Sequence, residues 1–111
     1  MKDKIPYKDF EKVELRVGKI LKVEDHLKAD KLLLLTVDFS DETRTIVAGL
    51  KKHYKKSDLE GKKAIFVTNL EPANLRGIES QGMILAAVSD DESEIVFLQP
   101  EKDIKEGSKI R

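Results

Sequence analysis

Val13-Glu14-Leu15-Arg16-Val17-Gly18-Lys19-Ile20-Leu21-Lys22-Val23-Glu24-Asp25 alternates apolar and polar residues along most of its length. Val13, Leu15, Val17, Leu21 and Val23 fall on one face, and Glu14, Arg16, Lys22 and Glu24 on the other. Successive side chains of an extended chain point to opposite sides, so a period of two over this length predicts a long, half-buried strand. Gly18 interrupts the run and Ile20 lands on the polar side. A glycine inside a strand marks a bulge or a bend. Small barrels need such a bend where one long first strand serves both halves of a closed sheet.

Working outward, Lys31 to Phe39 reads as a second strand and Thr43 to Ala48, rich in β-branched residues, as a third. The polar link Ser40-Asp41-Glu42 between them suits a hairpin turn. Ser57 at the start and Gly61 at the end bracket about one helical turn. Lys62 to Asn69 and Gly82 to Val88 read as strands four and five, joined by a loop carrying Pro72, Arg76 and Gly77. Tyr7 to Lys12 suits a short helix, and Glu94 to Leu98 a further short strand before a Pro-containing tail. Five strands with a helical element between the third and fourth is the order of an OB-fold barrel. An SH3-like barrel or a small sandwich has similar spacing.

The chain's 111 residues suit one domain with a modest core, and four Phe, two Tyr and no Trp leave most packing to aliphatic side chains. With no Cys, disulfides and thiolate metal sites are excluded. The charged N-terminal residues Met1 to Pro6 show no signal peptide, and apolar runs such as Leu32 to Leu35 are too short to span a bilayer. A cytoplasmic location is the expectation. Twenty-one basic and twenty-one acidic residues cancel, so an anion-binding surface must come from uneven placement. Lys51, Lys52, Lys55, Lys56, Lys62 and Lys63 form a positive block against Asp58 and Glu60, while Asp90-Asp91-Glu92 and Glu94 form a negative one. The lysines are either a phosphate-contacting surface or an ordinary solvated one. The acidic run reads as a solvated turn.

Catalytic patterns are poor. His26 and His53 are the only histidines. His26 and Asp30, four apart, lack the further ligands that a metal would need, and a satisfied surface histidine is the better reading. Ser80 lacks the flanking glycines of a nucleophile elbow, and no phosphate-binding or dinucleotide-binding glycine motif is present. No cofactor or metal is expected. The segment from Asn69 to Ala87 carries different equipment. Arg76 offers a planar fork of donors, and Asn69, Asn74, Ser80 and Gln81 add neutral donors and acceptors. Gly77 and Gly82 allow close backbone approach, and Met83 can cover a base or ribose. The same residues fit equally well a loop held by Arg76–Glu79 contacts with Met83 in the core.

The motifs at this loop also carry a resemblance. Asp9-Phe10-Glu11-Lys12-Val13 leads into Leu15-Arg16-Val17-Gly18-Lys19-Ile20. His26-x-x-Ala29-Asp30-Lys31-Leu32, Val37-Asp38 and Ile46-Val47-Ala48-Gly49-Leu50 follow. Asn69-Leu70-x-Pro72-Ala73, Leu75-Arg76-Gly77, Glu79-Ser80-x-Gly82-Met83 and Leu85-Ala86-Ala87 complete the series. In this order they resemble the tRNA-binding domain of the methionyl-tRNA synthetase C-terminal region (or beta subunit), of free-standing structure-specific tRNA-binding proteins, and of the endothelial monocyte-activating polypeptide.

The resemblance implies a non-catalytic OB-fold that binds the outer corner of tRNA by shape, either with a methionyl-tRNA synthetase or as its free-standing homologue. It implies a core barrel over about residues 12–88. It also implies homodimerisation through N- and C-terminal extensions, about 1–11 and 94–111. By position in the family's motifs, Asn69, Arg76, Ser80, Met83, Lys31 and Arg16 are candidate tRNA contacts. Lys51, Lys52 and Lys55 join them from charge alone, and Gly49 and Gly77 look architectural. Leu27-Lys28 departs from the family's frequent Pro-Asn, which frees the loop and adds a charge. A secretion-related chaperone family shares the fold and part of the N-terminal pattern but generally lacks the Ala-Asp-Lys-Leu and Ser-x-Gly-Met blocks. A polypeptide-binding chaperone is therefore the second expectation.

Overall fold

A computed structural model describes all 111 residues. The chain opens with a single helical turn, α1 (Tyr7–Phe10), and passes into the long strand β1 (Leu15–Asp25). Strands β2 (Leu33–Asp38) and β3 (Thr43–Ala48) follow, then the turn α2 (Lys56–Leu59) and β4 (Lys63–Val67). After β4 come six short strands: β5 (Ala73–Leu75), β6 (Ile78–Ser80), β7 (Met83–Ile84), β8 (Ala86–Val88), β9 (Ile95–Phe97) and β10 (Lys109–Ile110). The main sheet is antiparallel in the order β3-β2-β1-β4-β7, with β10 also paired to β1. β1 pairs with β4 through its first half and with β2 through its second, as the sequence reading required of a first strand shared by two halves of a barrel.

Two features let β1 serve both. Gly18 sits where any side chain would collide: an added Cβ would lie 2.5 Å from Val37 Cγ1, 2.7 Å from Phe39 Cε1 and 2.9 Å from Phe66 Cδ1. Phe39 and Phe66 meet edge to face beside it, 5.5 Å between ring centroids. Gly18 is therefore a packing glycine. The ladder irregularity falls beyond it, between Ile20 and Lys22. That bulge resets the alternation and corrects the predicted faces: Ile20 is buried and Leu21 is exposed. Val13, which precedes β1, is exposed as well. The core gathers around Ile20, Leu33, Leu35, Val37, Phe39, Ile46, Leu59 and Phe66.

The barrel is nearly closed by side chains where the β3 and β7 edges approach. Gln81 N–H donates to the Thr45 carbonyl at 2.9 Å, and the Gln81 side-chain oxygen accepts the Thr45 N–H at 3.1 Å. Arg44 Nη1 donates to the carbonyls of Thr68 and Gln81. Three sequence expectations change in detail. The segment between strands four and five is no loop but contains the β5–β6 hairpin. The expected fifth strand is divided into β7 and β8 by Leu85, whose N–H donates to Ile65 and whose carbonyl accepts from Leu98. The tail from Glu94 also contributes to the fold of its own chain: Phe97 is buried against Tyr54 and β10 pairs with β1. The acidic run forms the turn of the β8–β9 hairpin. Asp91 is held there by hydrogen bonds from Ser93 and Ser89, which keep its carboxyl below the ordinary aspartate range.

Candidate nucleic-acid interface

Three connections converge at one rim of the barrel. The first is the β1–β2 loop, from His26 to Leu32. The second is the tip of the β5–β6 hairpin, and the third is the lysine-bearing segment after β3. His26 joins the first two. Its Nδ1 accepts the Lys28 N–H at 3.0 Å, so the proton must sit on Nε2, which donates to the Leu75 carbonyl at 2.9 Å. The ring is 4% exposed, which corrects the surface placement expected from sequence while keeping the expectation that it is satisfied. The third connection is tied on by the Lys51 N–H, which donates to the Lys31 carbonyl at 3.4 Å. The first two are the loops that an OB-fold uses for oligonucleotides.

The hairpin tip explains Arg76. Leu75 and Ile78 are cross-strand partners, so Arg76-Gly77 is a two-residue turn. Both residues have positive φ, 56° and 95°, the geometry whose twist matches paired strands. Gly77 accepts this region of backbone space without strain, and its N–H is held by the Asn74 side chain at 2.9 Å. Arg76 is exposed and takes part in none of the chain's ion pairs, so the Arg76–Glu79 contact considered above does not form. Lys28, Lys31, Lys52 and Lys55 are likewise exposed and outside every ion pair. Lys51 and Lys56 converge on Asp25 at 3.4 and 2.9 Å. The hydrogen bond from Lys56, followed by that from Lys51, holds the Asp25 carboxyl below its ordinary range.

Three other sequence candidates, Ser80, Asn69 and Arg16, have structural duties. Ser80 is 4% exposed. Its hydroxyl accepts the Val47 N–H and donates to the Gly82 carbonyl, both at 2.9 Å. It fastens the hairpin to β3 and presents no surface to a ligand. The Asn69 amide is occupied from both sides: its oxygen accepts the Glu14 N–H and its nitrogen donates to the Lys12 carbonyl. Arg16 donates to the Gly107 carbonyl at 3.1 Å, reaches Asp41 at 3.4 Å and lies over the Phe39 ring, fixing the tail to the barrel. Met83 is 45% exposed, not in the core. It pairs with Val67, next to the Gln81 junction with Arg44 and Thr45, and so stands apart from the Arg76 tip. His26, Leu27 and Lys28 also line this rim, although the sequence did not single them out as contacts. The signal available was the His26 motif itself, which makes a loop residue the partner of a carbonyl 49 positions away.

Residues 15–109 match the family described as "Putative tRNA binding domain". The chain belongs to this tRNA-binding domain family. It is a non-catalytic, binding member of the OB-fold class. It is 53% identical over 107 residues, 96% of its length, to the methionine–tRNA ligase of Pyrococcus horikoshii, of which the match covers 14%. The chain thus spans about one-seventh of the length of that relative. The crystal structure of a MetRS-related protein from Pyrococcus horikoshii superposes with a TM-score of 0.93 at 34% identity, covering 99% of this chain and 100% of the other. The chaperone CsaA of Bacillus anthracis superposes with a TM-score of 0.88 at 26% identity, covering 98% and 100%. No helix is long and apolar enough to cross a membrane.

Proposed function

We propose that this tRNA-binding domain recognises tRNA by its shape, through the rim formed by the β1–β2 loop, the Arg76 hairpin and the lysines after β3. The observation that carries the reading is the convergence of five unpaired cations, Lys28, Lys31, Lys52, Lys55 and Arg76, on loops fastened together by His26 and Lys51. Unpaired cations spread over a curved rim contact phosphates, which position a nucleic acid without reading its sequence. The major groove of duplex RNA is too deep and narrow for side chains to read, so a folded RNA is distinguished by outline and by the 2′-hydroxyls of its shallow minor groove. Met83 adds a separate apolar contact, with Ser80 and Gln81 setting its position. Asn69 and Arg16 support the scaffold.

The setting we infer is cytoplasmic, with the domain working as the beta subunit or C-terminal domain of a methionyl-tRNA synthetase or as its free-standing homologue. Homodimerisation through the terminal segments is part of the proposal. It is supported by Ile5, Tyr7, Phe10, Val96, Leu98 and Ile104, which are all exposed. The likeness to CsaA favours a second reading, polypeptide binding, which the unpaired cations do not call for. Competition binding tests both. Folded tRNA should displace labelled tRNA at concentrations where duplex DNA and heparin do not. Equal displacement by all three would overturn shape recognition. Suppression of aggregation of a denatured client, without preference for tRNA, would favour the chaperone reading.

A further inference from the structure

Between the Leu27 loop and the hairpin tip lies a recess of about 300 Å³. Its lining combines three chemistries: apolar Leu27, Leu34 and Ile78, cationic Lys28 and Arg76, and the carboxylates of Glu24 and Asp25. His26 forms part of the wall and, through its bond to Leu75, fixes the distance between the two loops. Glu24 stands directly across from Leu34 in the β1–β2 ladder. Asp25 is held by Lys51 and Lys56, whereas Glu24 meets only Lys22, 3.6 Å away and itself exposed. A track for phosphates has no use for an apolar recess, and a lightly held carboxylate beside it repels the backbone. Both are useful to a base. A flat ring packs on aliphatic side chains and under a guanidinium plane, its amino edge donates to a carboxylate, and its phosphate meets the cations.

We propose that this recess captures one unpaired nucleobase bearing an exocyclic amine, turned outward from the bound RNA, with Glu24 accepting from the amine. The proposal rests on the tRNA reading above and assigns its rim a specific subsite. An unpaired loop base costs least to turn out, which suits a folded RNA and not a duplex.

The sign of one substitution separates the alternatives. Glu24→Leu removes a negative charge from a polyanion-binding rim, so a rim that holds phosphates alone should bind tRNA more tightly. A recess that uses Glu24 as acceptor should bind roughly tenfold more weakly. The full chain and a tRNA transcript are probed in parallel with base-edge reagents and hydroxyl radicals. One unpaired adenine, cytosine or guanine should lose base-edge reactivity on binding and regain it with Glu24→Leu, while backbone protection elsewhere persists. Leu34→Trp, which fills the recess from a half-buried strand position, should act in the same way; if it misfolds, Glu24→Leu decides alone. Tighter binding by Glu24→Leu, or a backbone footprint without any base protection, overturns the subsite. Failure of the unsubstituted chain to prefer tRNA overturns the underlying reading instead.

Discussion

Arg76 and Ser80 lie four positions apart in one hairpin and should answer substitution in opposite ways. Arg76 is exposed at a turn and its guanidinium is unpaired, so Arg76→Ala should leave stability almost unchanged. It should weaken tRNA binding by about 1–3 kcal/mol, the range for a charge-assisted hydrogen bond, and lower the salt slope by about one unit. Unchanged affinity in the folded variant would return Arg76 to a purely architectural role. Ser80→Ala leaves the buried Val47 N–H without a partner. It should destabilise the fold by about 1–3 kcal/mol in thermal or urea melts, with little effect on the affinity of the fraction still folded. Asp25 offers a third sign. Neutralising it with Asp25→Asn releases Lys51 and Lys56, so tRNA should bind more tightly at low salt. Because Lys56 and Lys51 depress the Asp25 carboxyl in the fold, the stability it contributes is present above the ordinary aspartate range and is lost as pH falls through its lowered value. Melts of the two proteins should therefore differ at neutral pH and converge in acid.

At the scale of elements, what the sequence disclosed depended on how strongly burial imposes a period. β3, predicted as Thr43–Ala48, has those bounds because β-branched residues face a core on one side and a turn ends it on the other. β1 was legible as a strand, but its faces were not, since the bulge after Ile20 leaves no mark in composition. The β5–β6 hairpin was illegible for a different reason. All three β5 residues are exposed, so no apolar alternation exists, and its turn is Arg-Gly where Asn-Gly or Asp-Gly would have signalled it. The structural bonds of Ser80 and Asn69 were illegible because, in one dimension, a polar side chain that bonds distant backbone is indistinguishable from one that awaits RNA. The tail's packing on its own barrel was hidden for the same reason. Lys63 holds it by ion pairs to Asp103 at 2.8 Å and Glu106 at 3.3 Å. Those contacts raise the Lys63 ammonium above its ordinary range, Asp103 foremost, and lower both carboxyls; for Glu106 its own backbone N–H is the larger cause. The clasp is thus complete from mildly acid to alkaline pH. It fails as pH falls through the lowered carboxyl values or rises through the raised lysine value. The protection of the Val17 amide, whose N–H donates to Ser108, relative to its intrinsic exchange rate should fall at both extremes, and Lys63→Ala should remove most of that change.

For the whole molecule the question is how a chain of zero net charge binds a polyanion with useful strength. Its extents are 41 × 35 × 29 Å, and the cationic rim occupies only part of that surface. A single rim with a handful of phosphate contacts loses affinity steeply as salt rises. Two rims on one RNA would recover it without any new contact, because the second binds at the effective concentration set by the first. A domain built into a long synthetase obtains the same advantage from tethering, which fits relatives in which the matching segment is 14% of the chain. A chain on its own must obtain it from a second copy. The proposed dimer would draw on apolar residues of the terminal segments: the tilted rings of Tyr7 and Phe10 lie 6.3 Å apart on α1, and Val96 and Leu98 are exposed at the other end of the chain. Phe10→Asp places a charge in that patch and far in sequence from every rim residue. It should yield a monomer in sedimentation, with unchanged barrel stability and tRNA affinity reduced at least about tenfold, a modest share of what doubled attachment provides. Dilution of the unsubstituted protein through dissociation of the proposed dimer should reproduce the same loss. A monomer that binds as tightly as the parent would mean that one rim, with its recess, is sufficient for the RNA.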